Sequence, residues 1–244
     1  MEAEIVEMVS RSLVGRKAVT KEELIRRIIR ASLDVLREDL KNLSYEKIEE
    51  LALSLLDEPL SVKSLHFPEE LEIGGVKFYH PHTEDPTAKD IETAYEEFLR
   101  SKKFLESLEA MRDVMDDFFD GYSGTGEFFR VYEGRKRYGV FFTTIDDADE
   151  DADVHAGIAR SFEGEYVLCV PTEDEITPFL RFFRRHSEDF KRSGVKVWVV
   201  NVEDMCVDPF IGYPRDLSLI RRFRNPRVAT LVNSLWRVHV DSLD

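Results

Sequence analysis

The stretch from Phe128 to Ile145 reads FFRVYEGRKRYGVFFTTI, two runs of aromatic and β-branched residues meeting across one glycine. Phe128 to Glu133 and Tyr138 to Ile145 therefore predict two adjacent strands joined through Gly134. Downstream, the apolar runs Tyr166 to Val170 and Val195 to Val202 predict two more strands. An acidic loop and a helix near Asp153 to Phe162 precede the first of these. A helix from about Glu175 to Arg192 precedes the second and tolerates Pro178 in its first turn. Upstream, Thr87 with Asp90 opens a long helix from about Ala88 to Phe119, ended by the glycines at 121, 124 and 126. Two further helices, about Leu217 to Phe223 and Val228 to Trp236, close the chain. The order from residue 88 is helix, strand, strand, helix, strand, helix, strand, helix. That order predicts an α/β fold, a central mixed sheet flanked by helices.

The first sixty residues carry a different period. Ile5, Val6, Val9 and Leu13 recur at helical spacing, and Thr20 with Glu23 has the form of a capping box before Leu24, Ile25, Ile28, Ile29 and Leu33. Ser44 caps a third helix that stops before Pro59. Around Gly74-Gly75 a short hairpin follows, Leu71 to Ile73 against Val76 to Tyr79. This divides the chain into an N-terminal helical region, residues 1–65, and an α/β domain, residues 66–244.

Composition bounds what such a chain can do. Its 244 residues, 43% hydrophobic, suffice for a sizeable core. A formal net charge of −15 argues against a generic nucleic-acid binder, because phosphate affinity comes from clustered Lys and Arg. No run reaches the roughly 18–20 apolar residues that cross a bilayer, and Met1-Glu2-Ala3-Glu4 lacks a signal-peptide pattern, so a cytoplasmic location is expected. The two cysteines, Cys169 and Cys206, read as free thiols. Charge is also unevenly distributed. Between Ile145 and Glu175 eleven acidic residues face one base, Arg160, whereas from Ile176 to Val240 twelve Lys and Arg face six Asp and Glu.

The short motifs favour structural readings. Asp147, Asp149, Asp151 and Asp153 alternate like the start of a calcium loop, but neither register supplies the turn glycine or the final Glu. His80-Pro81-His82 with Glu84 and Asp85 lacks a further ligand at a recognisable spacing. The glycines of Gly121-Tyr122-Ser123-Gly124-Thr125-Gly126 lead from helix to strand, the reverse of a phosphate cradle, and read as a flexible connector. In Arg181-Phe182-Phe183-Arg184-Arg185-His186 the aromatics form a helical core stripe with the arginines outside. Arg215, Arg221, Arg222, Arg224 and Arg227 make the strongest basic cluster, suited to phosphate or an acidic protein.

The element order from residue 88 to 202 resembles the restriction-endonuclease, or PD-(D/E)xK nuclease, core. In that family a carboxylate near the second strand and an acid-x-Lys triplet on the next hold Mg²⁺. On this chain the resemblance implies Asp146 or Asp147 as the first carboxylate and Glu165-Tyr166-Val167 as the triplet, with Val167 in the lysine's place. Glu163-Gly164-Glu165 has no lysine either. A nuclease-like core without the lysine, an acidic character and the tail from Asp208-Pro209-Phe210 through Asn225-Pro226 to Leu235-Trp236-Arg237 resemble the archaeal TATA-binding-protein-interacting proteins. That family implies a non-catalytic protein, without a cofactor, that keeps the TATA-binding protein off promoter DNA.

The leading expectation is accordingly a regulatory binding protein whose carboxylates Asp147, Asp149, Glu150, Asp151 and Asp153 engage a basic macromolecular partner. The alternative is a divergent Mg²⁺-dependent nuclease in which Asp146, Asp147, Glu163 and Glu165 bind metal and a lysine arrives from another element. Direct nucleic-acid binding is left open by the sequence. The large apolar residues among the C-terminal arginines, Phe210, Phe223, Leu231 and Trp236 included, point to a homodimer.

Overall fold

A computed structural model describes residues 2–57, 67–82 and 85–230. The expectations placed on Glu84, Leu231, Leu235, Trp236 and Arg237 lie outside those residues. The chain divides into two compact units, residues 1–106 and 107–244.

In the first unit, helices α1 (Glu2–Ser12), α2 (Lys21–Leu36) and α3 (Tyr45–Asp57) bury the expected apolar stripes, with Ile5, Val9, Leu24, Ile28 and Ile48 at or near zero exposure. Thr20 caps α2, its hydroxyl accepting from the Glu23 amide at 3.3 Å. The Glu23 carboxylate does not complete the box. It is buried between Arg16 at 3.0 Å and Arg27 at 2.9 Å, and desolvation pushes its pKa up. The hairpin β1 (Glu69–Ile73) and β2 (Val76–His80) forms as expected, and Tyr79 exchanges two backbone hydrogen bonds with Val19. Helix α4 (Ala88–Phe118) begins in this unit, where buried Arg26 of α2 donates to Ser101 at 3.0 Å and pairs with Glu97.

The second unit holds a six-stranded sheet in chain order: β3 (Ser123–Thr125), β4 (Phe129–Glu133), β5 (Arg137–Phe142), β6 (Glu165–Pro171), β7 (Lys196–Asn201) and β8 (Cys206–Ile211). Strands β5, β6 and β7 run parallel, and the pairs β3–β4, β4–β5 and β7–β8 are antiparallel. The crossovers are α5 (Ile145–Glu150) with α6 (Ala152–Ser161), then α7 (Thr177–Ser193); α8 (Leu217–Ile220) follows β8. All seven residues of β6 are buried, as a parallel strand covered on both faces requires. One face meets α4 through an aromatic layer: Phe119 stacks on Tyr132 at 4.2 Å, and Trp198 packs against Phe118 and Phe223. On the other, Phe129, Phe162 and Tyr166 pack together and His155 shares a 2.9 Å hydrogen bond with Tyr166. Gly139 lets the aromatics of that face close over β5, since a Cβ there would come within 2.5 Å of the Phe129 ring.

Two expectations are corrected, and one strand is found where no element was expected. The acidic loop before the expected helix α6 is itself a helix, α5, because Thr144 caps its first turn, accepting from the Asp147 amide at 3.2 Å, and Ile145 and Ala148 are buried. Carboxylates in a first turn also suit the helix dipole. On a helix, residues two apart point in nearly opposite directions, so the alternating aspartates no longer surround one point. The glycine connector contains β3, and the segment after residue 205 contains β8. Both are edge strands, short or interrupted by Pro209, with little apolar alternation to announce them.

Helix α4 is tied to the sheet by Asp116, which accepts from Arg130 at 2.8 and 2.9 Å and from the Tyr132 hydroxyl at 2.7 Å. Asp116→Ala leaves the Tyr132 hydroxyl and two of the Arg130 donors without their partner, Arg130 keeping only the Gly126 carbonyl at 2.8 Å, and is expected to cost about 2 kcal/mol in urea unfolding. Asp113→Ala, at an exposed position of the same helix, is expected to stay within about 0.5 kcal/mol of the parent.

Candidate functional site

Parallel alignment of β5, β6 and β7 gathers all their carboxyl ends at one end of the sheet and all their amino ends at the other. At the carboxyl end lie the first turn of α5, the 172–176 loop and the 202–205 turn. Asp146 pairs with Arg181 of α7 at 2.9 Å, and Asp149 with Arg185 and His186 at 2.7 Å each. Asp147 is buried, Asp151 is half-buried between α5 and α6, and Glu150 and Asp153 are exposed. Asp174, Glu175 and Glu203 are exposed and form no ion pair among the described residues.

The amino end is organised by two carboxylates. Glu165, buried at the start of β6, accepts from Lys196 of β7 at 2.9 Å and from the backbone amide of Arg215 at 2.9 and 3.1 Å. Asp216 caps α8, accepting from the amide and hydroxyl of Ser218 at 2.9 and 2.7 Å and from the Tyr122 hydroxyl at 2.5 Å. The Asp216 amide donates to the Tyr138 hydroxyl at 3.2 Å. The hydrogen bonds from Tyr122 and then Ser218 hold the Asp216 carboxyl down at about 2. Burial, reinforced by Asp216, pushes the Tyr122 phenol up to about 12, and burial raises Tyr138 as well.

These positions separate the carboxylates of the nuclease alternative. Tyr138 lies opposite Glu165 in the parallel register and Phe142 opposite Cys169. Asp146 and Asp147 follow β5 at its carboxyl end, so more than about 13 Å of strand, at about 3.3 Å per residue, parts them from Glu165. Lys196 does reach Glu165 from a neighbouring strand, but as its ion-pair partner. Glu163 is exposed, its carbonyl accepting from Arg137 at 3.2 Å, and Val167 is fully buried. Among the described residues no three His, Cys, Asp or Glu side chains converge as metal ligands; His82 instead pairs with Glu69 at 2.5 Å. The residues present do not fit the Mg²⁺ site that the resemblance implies.

The basic cluster also divides. Arg222 donates to the terminal carbonyls of α4, Asp117 at 3.3 Å and Phe118 at 3.0 Å, and pairs with Asp120 at 3.4 Å. Arg224 pairs with Asp204. Arg215, Arg221 and Arg227 remain exposed. Cys206 is half-buried and Cys169 buried, both free thiols. Sequence reasoning missed Tyr122, Lys196 and Asp216, whose only local signal is the Asp-x-Ser cap before α8.

Two family models match the chain. Residues 97–225 match the model described as "Domain of unknown function (DUF6834), C-terminal domain", and residues 4–95 match "Domain of unknown function (DUF6846)". The first covers more than half of the chain, which belongs to that DUF6834 C-terminal-domain family. No curated protein matches the chain.

Because the Asp216 pKa falls from 3.8 to about 2 on folding, its stabilisation is present above about pH 4 and is lost as pH falls through about 2. Asp216→Asn is expected to unfold about 1–2 kcal/mol more easily at pH 7. The difference should shrink in melts between pH 4 and pH 2; a gap constant with pH would remove the ionised cap.

Proposed function

We propose that this protein is a non-catalytic regulatory binding protein whose acidic surface engages a basic macromolecular partner. The observation that carries this reading is the exposed set Asp174, Glu175 and Glu203 at the carboxyl ends of the parallel strands, the end at which open α/β sheets commonly place their ligands. Glu150 and Asp153 extend the acidic surface along α5 and α6. Asp146 and Asp149 hold α7 in place, a supporting role, because their charge is spent on Arg181, Arg185 and His186. The family resemblance of the sequence names the TATA-binding protein as the first partner to test: its DNA-binding saddle is basic, and carboxylates compete for such a surface by imitating phosphate charge. A cytoplasmic site of action belongs to the same reading. Among the described residues, the separation of Asp146 and Asp147 from Glu165 weighs against the nuclease alternative.

The test is competition. An archaeal TATA-binding protein bound to labelled promoter DNA is titrated with this chain, and displacement is expected at low salt and lost at high salt. Asp174→Asn, Glu175→Gln and Glu203→Gln together should slow association about tenfold with unchanged circular dichroism. Displacement that ignores both salt and the triple variant would overturn the acidic-surface reading. Plasmid and single-stranded DNA should survive Mg²⁺ and Mn²⁺ intact; cleavage abolished by Glu165→Ala would restore the alternative.

A further inference from the structure

The amino end of the parallel strands carries the opposite sign. Arg135 and Lys136, in the turn between β4 and β5, and Arg215, in the loop after β8, are exposed and form no ion pair among the described residues. Of the carboxylates around them, Glu165 is occupied by Lys196 and the Arg215 amide, Glu133 by Arg137, and Asp216 by Tyr122 and Ser218, while Glu163, exposed before β6, forms no ion pair among the described residues and leaves the end net basic. Nor are the cations loosely placed. The Tyr122 ring covers Gly134 so closely that a Cβ there would approach it to 2.5 Å. The Tyr122 hydroxyl donates to Asp216 in the loop, and Arg135 acts electrostatically on Asp216 and Tyr122. Turn and loop are thus locked together, and three cations from two segments are presented on one preorganised surface.

We infer that this basic surface is a docking site for a second copy of the same chain, taking the acidic strand end at Asp174, Glu175 and Glu203. The two surfaces are opposite in sign, three cations against three carboxylates, and none of these six forms an ion pair among the described residues. They stand at opposite ends of the same strands, so within one molecule they cannot meet; only another copy brings them together. Arginine guanidinium groups pair carboxylates through two parallel hydrogen bonds, a geometry that favours this contact over diffuse attraction. The inference requires no basic partner, although a copy bound in this way would occupy the acidic end and compete with one.

The net charge of −15 gives the contact an unusual salt dependence. At about 0.01 M salt the Debye length is about 30 Å and whole-molecule repulsion keeps copies apart; at about 0.15 M it is about 8 Å, which screens the net charge but not ion pairs in contact; at about 1 M it is about 3 Å and the pairs weaken too. Sedimentation equilibrium of the full chain is therefore expected to show strongest self-association at the middle salt. Reversal of the basic end, Arg135→Glu, Lys136→Glu and Arg215→Glu, should weaken association at least about tenfold, as should Asp174→Lys, Glu175→Lys and Glu203→Lys. Mixing the two reversed proteins should restore association between them, with circular dichroism reporting that both are folded. A parent that stays monomeric at all three salts, or reversed proteins that do not complement each other, overturns the inference. If the monomeric parent instead binds a single-stranded oligonucleotide through the same three cations, the surface is one for nucleic acid. Loss of self-association with displacement of the TATA-binding protein intact would overturn this inference alone.

Discussion

Burial of β6 on both faces is the constraint from which the second unit follows. A strand with all seven residues inside must have a neighbour on each edge and a layer on each face. Parallel pairing on both edges, to β5 and β7, demands crossovers, and those crossovers are α5 with α6 and then α7. They cover one face; α4 covers the other, held by Asp116 and by the aromatic layer of Phe118, Phe119, Tyr132 and Trp198. A large side chain fully removed from water contributes about 1.5–3 kcal/mol, so this layer outweighs any single ion pair on the surface.

Parallel strands also have an electrostatic consequence that antiparallel ones lack: every carboxyl end faces one way. The connections leaving those ends carry Asp146, Asp174, Glu175 and Glu203, whereas at the amino ends Arg135 and Lys136 precede β5 and Lys196 opens β7, against the single exposed Glu163 before β6. Charges scattered along the chain are thereby sorted into two opposed surfaces. Glu165 and Asp216 lie at the basic end but do not neutralise it, because hydrogen bonds to the backbone and to Tyr122 spend their charge on closing the loop after β8.

Sorting of this kind changes how an acidic motif is to be weighed. Asp146 and Asp149 stand in the densest acidic stretch, yet they serve as the inner partners of arginines one helix away. Glu203 belongs to no stretch, yet it is exposed beside the loop of Asp174 and Glu175. Density in sequence measures local composition; availability to a partner depends on which cations the fold brings near.

Much of the architecture was legible in the residues alone. The apolar runs of β4 to β7, the capping residues Thr20 and Thr87, the helical spacing of α2 and the glycine after α7 place the main elements within a few residues, because backbone geometry and side-chain burial repeat locally with period two or 3.6. Edge strands β3 and β8 were not legible: β3 is three residues long with none buried, and in β8 Asp208 and Pro209 break the apolar period between buried Val207 and buried Phe210 and Ile211. Nor was the helical state of residues 145–150, which depends on the packing of Ile145 and Ala148 as much as on the Thr144 cap. What only the tertiary structure decided was company: that Asp149 meets His186, that Lys196 meets Glu165, that Tyr122 meets Asp216, and that Asp146 and Glu165 stand at opposite ends of a sheet. Sequence determines which groups are charged and which face of an element is apolar. Strand direction and order determine which of those charges share a surface, and that is a property of contacts between residues far apart in the chain.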